Sequence, residues 1–243
     1  MNKTYRSRYR PVYKKFVGLR KVILNPKKVL NFKKRKWQPL ISQMSRLSKK
    51  RKNNCYYKFY DQTSYKIQKY NSFFSRSYSQ NLSHRKRFSI FYGFLGKNYL
   101  KHVITNSLKK SNQVQNKINP NLFLIEFLES RLDVILVRSG FSLSLMNSRQ
   151  MISHGHVFVN KKRVKDGSYS LKPDDLITFS KKSRPLVEHF ILRSEIWPLP
   201  PQYLQISYKV LQIKIVDNII SKNSGNFMPL DLNLTNIIEH YRR

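Results

Sequence analysis

The residues best placed for chemistry are cations. Lys161, Lys162, Arg163 and Lys165 crowd into a few positions directly after the strand-like run Val157 to Asn160, and Arg131, Arg149, Gln150 and His154 precede them in two helix-like segments. No carboxylate pair, nucleotide-binding glycine pattern or phosphate loop stands beside them, so the set lacks the parts of a catalytic centre. What fixed Lys and Arg side chains do well is bind phosphate. Upstream, Arg85, Lys86, Arg87, Lys97 and Lys101 extend the supply of positive charge. Metal binding is not expected: Cys55 is the single cysteine, which excludes a cysteine-cluster zinc site and an intramolecular disulfide.

The whole chain shares this bias. Its formal net charge is +36 over 243 residues, far beyond what solubility needs, so a polyanionic partner is the first expectation. Residues 1–125 carry 31 Lys and Arg against the single acid Asp61, while 126–243 carry 17 against 11 acids. Acidic proteins and membrane surfaces also attract such charge, but no apolar run approaches the length that spans a bilayer. The opening MNKTYRSRYR has the character of a transit peptide; the same bias continues for a further hundred residues, so cleavable targeting is not the expected reading. There is no Ala at all, although Ala is the best helix former. An A+T-rich genome explains that absence more simply than any structural demand, and an organellar genome is a natural candidate.

Several elements must position these cations. In RLDVILVRSG, Leu132, Ile135 and Leu136 form an apolar stripe, and Gly140 stands where a left-handed residue closes a helix. Ser144 can cap a second helix from Leu145 to about His154, which buries Met151 and Ile152 and stops at Gly155. VFVN then alternates, as do Ile177 and Phe179 after the KPDD turn, so two helices on a small sheet are expected. Before this unit, Phe88, Phe91, Leu95, Tyr99, Leu100 and Val103 recur at helical spacing, with Gly93 and Gly96 arguing against one unbroken helix, and 111–121 reads as a loop. After it come a strand-like alternation through LPPQYLQISYKVLQIKIVD and a terminal helix capped by Asp231, with Leu234, Ile237, Ile238 and Tyr241 on its buried side. Residues 1–84 show little periodicity and read as a basic extension, ordered largely on its partner.

Arg131-Leu132-Asp133, Gly140-Phe141, Arg149 to His154, Val157 to Asn160 and Lys172 to Asp175 follow the order and spacing of the S-four type RNA-binding fold. With FSIFYGFL before them and DLNLTNIIEHY at the end, the chain resembles the small-subunit ribosomal protein four family. That resemblance implies an α+β protein with three parts: a basic extension over 1–84, a helical body from 85–130 with 183–243, and an inserted RNA-binding domain over 131–182. It further implies a non-enzymatic structural constituent of the small ribosomal subunit, without cofactor, membrane partner or small-molecule substrate. Such a protein binds small-subunit rRNA, helps nucleate assembly and shapes the mRNA entry region beside ribosomal proteins three and five. An RNA-modifying enzyme and a nonspecific polycation are the alternatives. Combined with the missing Ala, the resemblance implies an organelle-encoded member, mitochondrial, with the plastid as the alternative. RNA contacts are expected from Arg131, Arg149, Gln150, His154, Asn160, Lys161, Lys162, Arg163, Lys165, Arg85, Lys86, Arg87, Lys97 and Lys101. For Arg131 and Asp133 an internal pair, for His154 a helix cap, and for Asn160 a turn role compete with RNA contact. Two departures stand out: Leu145 follows the capping Ser144 where the family commonly has Arg, and Lys161 replaces the usual turn Gly, which implies an altered hairpin.

Overall fold

The computed structural model describes residues 15, 16, 19, 32–42, 75–113, 119–193, 200–217 and 234–242. They fall into two compact units, one within Met1–Phe91 and Pro229–His240, the other within Tyr92–Met228 and Tyr241–Arg243.

In the first unit a 3-10 turn at Arg35–Trp37 buries Trp37, whose ring lies 4.7 Å from that of Phe32. Helix α1 spans Ser75–Phe91 and so begins inside the segment expected to be an irregular extension. Its end, with Phe88 and Phe91, falls in the run read at helical spacing, but its first turns, SRSYSQ, are polar and carry no apolar period, so its start is not visible in the pattern. Phe88 and Ile90 are buried near its end, and the Arg87 guanidinium donates to the Leu19 carbonyl at 2.9 Å. In the terminal helix, Leu234–Arg242, Ile237 and Ile238 are buried as the spacing predicts, while Leu234 and Tyr241 are half-buried. The proposed cap, Asp231, lies outside the described residues, as does the SKNSGN link.

In the second unit, helix α2 runs Lys97–Gln113 and α3 runs Pro120–Glu129. The expected loop over 111–121 is therefore shorter at both ends. Asn119 and Pro120 read as loop residues, but Asn119 accepts the Asn121 N–H at 3.0 Å and caps α3, with Pro120 in the first turn, where its missing N–H costs nothing. Next come α4, Leu132–Arg138, and α5, Leu145–Ser153. Gly140, at φ 80°, follows α4, and Ser144 caps α5 by accepting from Asn147 N–H at 3.3 Å. Gly155, at φ 71°, closes α5: its N–H donates to Ile152 O at 2.8 Å and that of His156 to Met151 O at 3.0 Å, the paired bonds of a Schellman end.

Strands β1 Val157–Val159, β2 Lys162–Arg163 and β3 Leu176–Phe179 pair antiparallel, with β1 central among the three. Helix α6 spans Arg184–Arg193, an element the sequence reading did not contain. Strands β4 Leu204–Ser207 and β5 Gln212–Ile215 form the expected strand-like region. They are a hairpin that continues the same sheet, in the order β2-β1-β3-β5-β4. Long-range pairing of Ile177 with Ile213 joins the two parts, a link no local pattern reveals.

The core of this unit gathers Leu132, Ile135 and Leu136 from α4, Met151 and Ile152 from α5, and Val157, Val159, Ile177, Phe179, Ile213 and Ile215 from the sheet. Phe141 meets Phe179 edge-on at 5.3 Å and Tyr208 at 5.4 Å. Full burial of each such side chain stabilises by about 1.5–3 kcal/mol. The core therefore packs the helices against β1 and β3, while Asn160 and Lys161 of the β1–β2 turn stay exposed.

That turn keeps its shape without glycine. Asn160 at φ 48° and Lys161 at φ 66° form a two-residue connection between the paired Val159 and Lys162, as in a type I′ hairpin. Asn160 tolerates this region; Lys161 adopts it at a cost of about 1–2 kcal/mol. The Asn160 amide offsets that cost by donating to Asp175 Oδ1 at 2.8 Å and accepting the Leu176 N–H at 2.9 Å.

Candidate nucleic-acid interface

The cations expected to touch RNA separate into two groups once their partners are known. Arg131 is buried, and its Nε and Nη2 donate to the two oxygens of Asp133 at 3.0 and 2.9 Å. Its guanidinium also lies over the Tyr99 ring, 5.1 Å from the centroid. Arg149 donates from Nε to Asp133 Oδ2 at 2.7 Å, from Nη2 to the Tyr92 carbonyl at 3.0 Å, and from Nη1 to the Gly93 carbonyl. A Cβ at Gly93 would press on that guanidinium, so the chain has glycine there for close approach as well as for its φ of 75°. Asp133, fully buried, is thus a node that ties α4, α5 and the 92–93 turn together.

Arg163 is exposed but also engaged. Its Nη2 donates to His154 O at 2.8 Å and its Nε to Gly155 O at 3.1 Å, so a strand side chain caps the end of α5. His154 is the C-terminal cap residue of that helix, exposed, with its ring stacked 6.0 Å from that of His156. Asn160 serves the turn as described.

The second group faces water. Lys161, Lys162 and Lys165 on the hairpin, Gln150 on α5, and Lys97 and Lys101 on α2 are exposed. In the other unit Lys86 is exposed, whereas Arg85 and Arg87 are half-buried. Sequence reasoning did not single out Lys172, Lys181 and Lys182, which are also exposed. Their signal was present in the KPDD turn and in the KKSR run that leads into α6.

A separate buried network holds α3 to α4. Glu129 receives Arg138 Nε and Nη2 at 2.9 and 2.8 Å, Tyr92 Oη at 2.8 Å and Tyr203 Oη at 3.4 Å. Burial alone would push the Glu129 carboxyl up, but the Arg138 charge and the bonds from Arg138, Tyr92 and Tyr203 outweigh it and hold the pKa below its ordinary value. Burial beside Glu129 pushes both tyrosine hydroxyls well up, so they stay protonated as donors. A carboxylate with a depressed folded-state pKa contributes stability that is complete above its unfolded pKa and is lost as pH falls through the folded one. Glu129→Gln should therefore lower stability at neutral pH and flatten its decline with acid below about pH 4.5, the ordinary glutamate value. Urea midpoints measured from pH 7 down to pH 3 check this; parallel curves for the two proteins would refute it.

Among the described residues no cluster of three metal-ligating side chains occurs, and no helix is long and apolar enough to cross a membrane.

The assembly of two short helices on a strand pair, with a cationic hairpin at one end, coincides with a family match: the S4 domain pattern covers residues 130–177. Over 168 residues the chain is 30% identical to small ribosomal subunit protein uS4c of Gracilaria tenuistipitata var. liui, covering 68% of this chain and 78% of that protein. This chain belongs to the uS4 family of ribosomal proteins. The likeness extends to uS4c of Cucumis sativus, 32% identical over 68% of this chain and 78% of that one. It also reaches uS4 of the bacterium Aquifex aeolicus, 27% identical over 68% and 75%. Family membership agrees with the α+β fold and with the S-four resemblance of the motif residues.

Proposed function

We propose that this uS4-family chain is a structural constituent of the small ribosomal subunit that binds small-subunit rRNA directly, and that it acts without catalysis. The observation that carries the reading is the hairpin: Lys161 on a turn fixed by Asn160, Asp175 and Leu176, Lys162 in β2 and Lys165 just after it are all exposed, on a scaffold with a buried core. Side chains cannot read the deep, narrow major groove of an RNA helix, so a rigid unit presenting cations at fixed spacing suits recognition of backbone shape. Arg131 and Arg149 serve this surface from within by fixing the helices that carry it, and Arg163, itself exposed, ties the strand to the end of α5. The basic extension supplies further, less specific affinity through phosphate contacts. Within the subunit the protein nucleates assembly and borders the mRNA entry region beside ribosomal proteins three and five.

Organelle ribosomes are the setting this reading favours. The mitochondrial assignment rests on the Ala-free composition, whereas relatives named uS4c support the plastid. Mass spectrometry of small subunits purified from each organelle should find the chain at one copy per subunit in one of them. Its absence from both would overturn the ribosomal assignment.

Phosphate contact at the hairpin makes a quantitative prediction. Changing Lys161, Lys162 and Lys165 together to Ser should flatten the plot of log affinity for the rRNA against log salt by about 2–3 units, taking roughly 0.7–0.9 per contact. Folding should persist, because all three side chains are exposed. An unchanged slope and affinity would place the hairpin against solvent or protein.

A further inference from the structure

We infer that Tyr169 is a stacking platform for an unpaired nucleotide of the bound RNA, a role that rests on the rRNA-binding reading and adds a base contact to its phosphate contacts. Among the exposed large hydrophobic side chains of the described residues Tyr169 is the sole aromatic, at 43% exposure. Its hydroxyl and ring have no hydrogen bond or ring contact with any described residue, and every other described tyrosine in the same unit is less exposed. Much of the residue's surface is therefore left open, and no polar or ring partner among the described residues claims it.

The backbone beneath it is, by contrast, firmly held. Tyr169 N–H donates to Asp166 O at 3.3 Å, and Tyr169 O accepts Leu132 N–H at 2.9 Å. On one side, Gly167 O accepts Asp133 N–H at 3.1 Å, and Asp166 Oδ1 accepts Ser168 N–H and Oγ–H at 2.9 and 2.7 Å. On the other, Ser170 bridges to Arg131 and Leu171 N–H donates to Ser130 O at 2.8 Å. The pedestal is thus fastened to the start of α4, where Asp133 gathers Arg131 and Arg149. A ring displayed on a backbone already fixed loses little entropy when it stacks.

Its chemical surroundings favour RNA over a protein neighbour. Lys165 and Lys172 bracket the segment in the chain and are exposed, whereas protein interfaces are depleted in Lys. The one acid between them, Asp166, is occupied by Ser168, whose backbone and side-chain bonds hold its pKa below the ordinary value. An aromatic face among lysines is the combination that binds single-stranded bases, because any base can stack while the cations take the phosphates.

The test uses the full chain and a transcript of the small-subunit rRNA from the same genome. Tyr169→Leu should weaken binding by about fivefold to a hundredfold, the loss associated with one base stack. Tyr169→Phe should stay within about twofold, and neither change should alter the salt slope, because a stack releases no counterions. Ultraviolet cross-linking of the wild-type complex should leave a nucleotide adduct on Tyr169, at a position that chemical probing shows to be unpaired. If the wild-type chain binds while Tyr169→Leu binds equally well, or Phe fails as badly as Leu, the stacking role is wrong and the rRNA reading survives. Should the Leu variant melt lower than wild type, the Phe variant and the adduct decide. Protection of Tyr169 in assembled subunits without an RNA adduct would assign it to a protein neighbour and overturn the inference. Failure of the wild-type chain to bind the transcript would remove both readings.

Discussion

Asp133→Ala should lower stability by about 3–5 kcal/mol, because it leaves the Arg131 guanidinium buried without its counter-charge. Asp133 has no exposed surface and receives three charge-assisted bonds, two from Arg131 and one from Arg149. The two arginines differ in their alternatives. Arg149 retains the carbonyls of Tyr92 and Gly93 and a side chain 28% exposed, so water can replace part of what it loses. Arg131 has a side chain 6% exposed and the Tyr99 ring as its other neighbour. Most of the cost should therefore arise at Arg131, and pairing the change with Arg131→Met should restore a large part of it. Urea unfolding of the wild type and of both variants checks this. A loss below about 1 kcal/mol for Asp133→Ala, or no recovery in the double variant, would mean that the node does not hold the helices.

Gly155→Val should cost about 2–4 kcal/mol, from two sources. A β-branched residue at φ 71° is strained by roughly 1–3 kcal/mol. In addition, a Cβ there would collide with the Arg163 guanidinium, which must then leave the His154 and Gly155 carbonyls it caps. Gly155→Ala shares the clash and much of the strain, and should fall between wild type and Val. A double variant with Arg163→Ala separates the terms: if the cost of Val is the same with and without Arg163, only the backbone strain is real.

The elements around the interface were legible where local pattern and local structure agree. Ser144, Gly140 and Gly155 mark helix ends by their own chemistry, and the alternation of Val157 with Val159 and of Ile177 with Phe179 marks strands, so α4, α5, β1 and β3 were readable in place. The first turns of α1 and the whole of α6 were not, since the first opens on a polar run ahead of Phe88 and Phe91 and the second is a short segment between a lysine-rich turn and Pro-rich chain. Nor could spacing show that β5 pairs with β3, a choice made by burial of Ile213 against distant strands. At the interface, residue type identified the cations, but only geometry distinguished Arg131, Arg149 and Arg163, which hold the structure together, from Lys161, Lys162 and Lys165, which face outward. Arginine's planar fork suits it to the first task, and lysine's flexible, strongly hydrated charge to the second. Tyr169 went unnoticed because a lone tyrosine in a loop carries no pattern.

One edge of the five-stranded sheet is β2, two residues long and composed of Lys162 and Arg163. An open sheet edge invites pairing with the edge of another copy, and proteins blunt that hazard with short, charged strands. Here the neighbouring turn adds Lys161, so two molecules approaching along this edge meet like charges before any ladder bond can form. The same lysines that suit a polyanion thus guard the newly made chain against polymerising along this edge.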